Sequence, residues 1–219
     1  MVTAAVAAVL AVCALALVAF YAPVDQDGLN QKIFYFHVPI ALTAYACFGL
    51  GALKAFLYLW KRDDERDLES YVAVHLGVIF GLLTLVTGSI WAKISWGHWW
   101  EWGDRQLVLF LILFLFYCAY FMLRFSIEPG PQRAAISAVY ALFGVVLIPV
   151  SFLAIRLAEG LIHPVVFDRD VGSNLSGSQL LTFLVCFAGM LALAGSLYVN
   201  ELTGKRLDAR LAELREALS

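Results

Sequence analysis

The run LVLFLILFLFYCAYFML, residues 107–123, carries no charge from end to end and is bounded by Gln106 and Arg124. A helix needs about 20 predominantly apolar residues to cross about 30 Å of hydrocarbon at 1.5 Å per residue. On that ruler residues 107–123 span a membrane, and the rest of the chain divides the same way. Thr3–Tyr21, Val38–Trp60, Tyr71–Ala92, Ser137–Leu157 and Gln179–Asn200 read as further spans. Between them lie connectors that are polar or broken by proline and glycine, such as DQDGLNQK, KRDDERDLE and SIEPGPQR. The expected fold is therefore all-α: a polytopic integral membrane protein with six transmembrane helices.

Composition agrees. Of 219 residues 62% are hydrophobic and 15% charged, where a soluble domain has about 45–50% and about 25%. The formal net charge of -2 offers no basic face for nucleic acid. Cys13, Cys47, Cys118 and Cys186 each lie inside an apolar run, with no Cys-x-x-Cys pair, and read as small buried hydrophobes.

Lys and Arg set the expected orientation, because acidic residues contribute little to topology. One side collects Lys61, Arg62, Arg66, Arg124, Arg133, Lys205, Arg206, Arg210 and Arg215. The other has Lys32, Lys93, Arg105, Arg156 and Arg169. The first side reads as cytoplasmic, which places both termini inside and three connectors outside. Residues 1–22 could instead be a signal peptide, but the basic n-region is missing. The chain is expected to divide into a six-helix domain, residues 1–200, and a short cytoplasmic amphipathic tail, residues 201–219. In that tail Leu207, Leu211, Leu214 and Leu218 form one stripe.

One outward connector is unlike the rest. WGHWWEWGDR, residues 96–105, crowds four tryptophans, a histidine, two carboxylates and an arginine into ten positions. On a helical turn Trp96, Trp99 and Trp100 would share a face, with Trp102 three beyond Trp99. Interfacial tryptophan is common without function, and Trp60 and Trp91 read as such anchors. The dense cluster is equally compatible with a platform for a flat apolar ligand.

Histidines point the same way. His37, His98 and His163 occupy three different outward connectors. His37 precedes Val38-Pro39, where a proline in the first helical turn has no hydrogen bond to lose. His163 precedes Pro164, which biases it out of helix. Taken singly, each reads as an interfacial hydrogen-bonding residue. Together they could hold an iron porphyrin from both faces, with Arg105, Lys32 and Lys93 as cations for its carboxylates. Protonation would compete with such ligation at low pH. His75, at the other end of a span, reads as a packed structural histidine. Pro149 reads as a kink in the fifth span.

These residues resemble the heme exporter protein C family (CcmC) of cytochrome c maturation, haem-handling membrane proteins with a tryptophan-rich loop. Trp96, Gly97, Trp100 and Trp102 match the family's W-G-x-x-W-x-W, preceded by the similar VTGSIWAK at 86–93. KIFYFHVPIA at 32–41 and LIHP at 161–164 are similar to its two outward histidine segments. The resemblance implies His37 and His163 as axial ligands of haem b, carried as transient cargo, with Trp96, Trp99, Trp100 and Trp102 as platform. It implies delivery to a membrane-anchored haem chaperone at the outer face of the cytoplasmic (inner) membrane. An ABC-transporter ATPase and permease and a small single-span subunit would be partners, with ATP hydrolysis left to them, so the chain itself would be no enzyme. The family has aspartate directly after the last tryptophan; here Gly103 intervenes before Asp104, which leaves the role of Asp104 open. His98 falls at a variable position and could be an alternative ligand. Two other classes compete: a membrane b-type cytochrome, which would seal paired histidines between facing helices, and a secondary transporter, which would place ionisable residues at the midplane.

Overall fold

The fold is taken from a computed structural model that describes residues 2–23, 28–157, 167–168, 172–173 and 175–218. Six helices among these residues are long and apolar enough to cross a membrane. Helix α1 (Val2–Ala16) continues through a π-helical turn, Leu17–Tyr21, and a 3-10 turn, Leu29–Ile33, leads into α2 (Phe34–Lys61). Next come α3 (Asp64–Trp96) and α4 (Arg105–Phe125). The fifth crossing is shared by α5 (Pro131–Val145) and α6 (Leu147–Leu157), and α7 (Gly177–Leu218) ends the chain. Two-residue strands β1 (Phe167–Asp168) and β2 (Gly172–Ser173) pair antiparallel, Phe167 opposite Ser173.

Local chemistry sets the helix ends. Asp63 caps α3, its carboxylate accepting from the Glu65 amide at 3.1 Å. Asp64, Glu65 and Asp67 then fill the first turn, where the helix dipole favours negative charge. Pro131 opens α5 at a position where no N–H is needed. Pro149 acts as the expected kink: without its N–H the Val145 carbonyl has no partner one turn on, and the helix breaks at Val146. The Val146 amide there turns back to Phe143 at 3.3 Å.

The α2–α3 hairpin forms the centre of the bundle. Helix α1 packs on α7, α5 and α7 flank α2, and α4 lies on α5 and α6. Between α2 and α4 the Phe48 and Tyr117 rings stack with centroids 4.0 Å apart. Lipid offers backbone and phenol groups no water, so buried tyrosines find carbonyls. Tyr117 donates to Ala141 at 3.2 Å and Tyr140 to Phe116 at 3.1 Å, pinning α4 to α5. Large apolar side chains such as Met122, Phe125 and Phe143 face outward. That surface suits acyl chains rather than water.

The two ends of the bundle differ in chemistry. At the α2–α3 turn an ionic collar gathers. Arg124 pairs with Asp67, while Lys54 at 2.9 Å and Arg66 at 2.6 Å both reach Glu69. Arg206 of α7 meets Glu65, its Nε at 2.9 Å. His75, expected to be a packed structural residue, is a half-exposed partner of Glu201 at 2.9 Å beside the Tyr71 ring. The amphipathic tail expected from residue 201 continues α7, which runs unbroken over 42 residues, about 63 Å at 1.5 Å per residue. Its leucine stripe, from Leu207 to Leu218, is exposed. At the opposite end lie the start of α2, the close of α3, the tryptophan loop and the start of α4.

Candidate functional site

His37 sits within the first turn of α2 rather than ahead of it, because the 3-10 turn and residues 34–36 extend the helix backwards. Pro39 consequently lies inside α2, correcting the expected first-turn position. Its missing N–H forgoes the bond that would reach back to Tyr35. The imidazole crosses to α3, where Nδ1 lies 2.9 Å from the Thr87 hydroxyl oxygen. Next to it, Gly88 provides the space: a Cβ there would stand 2.9 Å from His37 Cε1. The ring therefore lies against α3 backbone, held on its edge by a hydroxyl and on its flank by a missing side chain.

Trp91 is one turn beyond Thr87 on the same face of α3, and it meets Trp96 edge to face at 5.0 Å. Helix α3 then stops. Gly97 takes φ 85°, a left-handed conformation natural to glycine, and its amide returns to Lys93 at 3.2 Å. The expected helical face through Trp96, Trp99 and Trp100 is thereby overturned, since only Trp96 is helical. Trp100 and Trp102 meet at 5.8 Å with planes 64° apart. Trp99 and Trp102 are exposed and Trp96 and Trp100 half-buried. The Trp100 Nε1 is buried without an acceptor among the described residues. His98 turns to Glu101, 3.2 Å away.

Asp104 is the N-cap of α4. Its Oδ1 accepts from the Gln106 and Leu107 amides at 2.9 and 3.2 Å, and the residue is buried. The role left open by Gly103 thus has a structural component: the carboxylate anchors the end of the tryptophan loop. Behind it Gln106 donates to the Tyr45 phenol at 3.4 Å, and Tyr45 pairs with Ser151 at 2.8 Å. This chain joins α4, α2 and α6, the elements that lead to the loop, to His37 and to the segment containing His163.

The cations separate by use. Lys32 donates to the Val18 and Ala19 carbonyls at 2.7 and 3.2 Å, closing the end of the first crossing. Lys93 donates to Gly97 at 2.8 Å, closing α3. Arg105 is exposed and makes no ion pair or hydrogen bond among the described residues. His163 lies outside the described residues. Thr87 and Gly88 were visible in the sequence only as part of VTGSIWAK. A hydroxyl beside a glycine in an apolar span is the signal that could have singled them out.

These donors suit an iron porphyrin. An imidazole fixed at Nδ1, aromatic faces, a buried indole N–H without an acceptor and an exposed arginine match its metal, disc and carboxylates. Residues 1–216 match the family described as Heme exporter protein C. Heme exporter protein C of Paracoccus denitrificans is 31% identical over 204 residues, covering 90% of this chain and 84% of that protein. That of Rhodobacter capsulatus is 31% identical over 206 residues, 91% of this chain and 84% of its own. A mitochondrial protein of Arabidopsis thaliana, described as ccmC-like and of cytochrome c biosynthesis, is 29% identical over 181 residues, 82% and 68% of the two chains.

Proposed function

The chain belongs to the Heme exporter protein C family, a multi-pass membrane component of haem handling in cytochrome c maturation, and on that premise we propose that it holds haem b as transient cargo at the tryptophan-rich end of the bundle. That end faces outward from the cytoplasmic membrane, and both termini lie inside. Support for this orientation comes from the ionic collar, which gathers Lys54, Arg66, Arg124 and Arg206 at the opposite end.

His37 and His163 are the axial ligands, and one observation carries the first of them: the His37 ring is pre-set by Thr87 and Gly88 at the end of α2. An imidazole oriented through its other nitrogen is the usual state of a metal-ligating histidine. Arg105 is favoured over Lys32 and Lys93 for the haem carboxylates, since those lysines already close helix ends. Trp96, Trp99, Trp100 and Trp102 would supply aromatic surface for the disc. From this site haem passes to a membrane-anchored chaperone beside ABC-transporter ATPase and permease subunits and a small single-span subunit; the family resemblance supports these partners. The chain's own residues bind and release haem, and ATP hydrolysis belongs to the cassette partner.

Absorption spectra of detergent-purified protein test the ligands. His37→Ala and His163→Ala should each lower haem content and shift the haem bands. Unchanged spectra and occupancy in both variants would remove the assignment.

A further inference from the structure

Thr87 makes two kinds of contact at once. Its oxygen is 2.9 Å from His37 Nδ1, and it is also 2.8 Å from the Leu83 carbonyl and 3.3 Å from that of Thr84. A hydroxyl has one proton to give and lone pairs to accept with. The carbonyls can only accept, whereas an imidazole nitrogen can do either. If Thr87 gave its proton to His37, the contacts to the carbonyls would carry no proton and one bond would be lost. If Thr87 donates to Leu83 and accepts from Nδ1–H, both bonds form. The second arrangement is favoured because it forms both hydrogen bonds where the first forms one.

We infer that Thr87 is a positioning residue that fixes the Nδ1–H tautomer of His37 and so presents the Nε2 lone pair to haem iron. This deepens the proposed function and rests on His37 being a ligand. Gly88 acts with it, because the ring can reach the hydroxyl only where α3 has no Cβ in its way. The back-bond to Leu83 makes the device self-contained on α3: one turn of helix orients the hydroxyl that orients the imidazole.

The full chain in detergent, free of haem and labelled with 15N-histidine, reports the tautomer by NMR at a pH where the imidazole is neutral, with His37→Ala identifying the signal. Wild type should show Nδ1–H. Thr87→Val, of matching shape, should shift the population towards Nε2–H, and Thr87→Ser should restore it. Titration with hemin should then show affinity lowered about 10- to 100-fold in Thr87→Val, the range for loss of a partner behind a metal ligand, and close to wild type in Thr87→Ser. An Nε2–H signal in wild type, or a tautomer unmoved by Thr87→Val, overturns the inference. If His37→Ala binds hemin like wild type, the ligand assignment fails and takes the haem half of the inference with it. The NMR result would still decide whether Thr87 sets the tautomer.

Discussion

Arg124 and Asp67 meet in a two-pronged ion pair, Nη1 to Oδ1 at 2.8 Å and Nη2 to Oδ2 at 2.6 Å, that fastens the last turn of α4 to the first turn of α3. The guanidinium also lies over the Tyr71 ring at 5.0 Å, and its side chain is 7% exposed. Removing one partner would leave the other charge buried and unpaired. Asp67→Ala should therefore cost about 3–5 kcal/mol of stability, measured as a lower unfolding midpoint in detergent. Adding Arg124→Met should recover most of the loss.

Gly88→Ala places a methyl group 2.9 Å from His37 Cε1. Overpacking of this kind costs about 1–3 kcal/mol, and here the ring must move to relieve it. Purified Gly88→Ala protein should retain its helical content, by circular dichroism, while its haem absorbance falls. Full haem content would show that the ring tolerates displacement.

Asp104 separates capping from charge. Asp104→Asn keeps an acceptor for the Gln106 and Leu107 amides, whereas Asp104→Ala loses it. Asn and Asp cap about equally, and replacement by alanine costs about 1 kcal/mol. Thermal unfolding should place Asn near wild type and Ala below it, with haem content following the same order. Equal haem loss in both variants would mean that the negative charge itself is used.

Trp100 carries a buried N–H with no acceptor among the described residues, a state that costs about 1–3 kcal/mol. Without haem, Trp100→Phe should be neutral or stabilising in a thermal unfolding assay. With hemin present the same change should weaken retention. Trp60→Phe, at a residue 72% exposed on the opposite end of α2, should alter neither. Equal effects at the two positions would reduce the loop to an interfacial belt.

The crossings were legible from the chain alone, because lipid forces each apolar run of sufficient length to satisfy its backbone internally as helix. So was the kink near Pro149, since a missing N–H acts wherever the residue stands. Local breaks were less so. Gly97 halts α3 and frees the tryptophans from the helical face their spacing suggested, because left-handed backbone becomes evident only once the turn is formed. Beyond residue 200 the chain continues α7 as helix, since polar residues extend a helix outside lipid as readily as leucines do within it.

Sequence determined which residues would span the membrane and which end would hold aromatic rings. Tertiary packing alone brought Thr87 and Gly88 against His37, a contact across 50 positions that no periodicity encodes. Packing also assigned Lys32 and Lys93 to helix ends and Asp104 to a cap. Each of those roles depends on where a carbonyl or amide lies in space, and that is settled only when helices distant in sequence are set side by side.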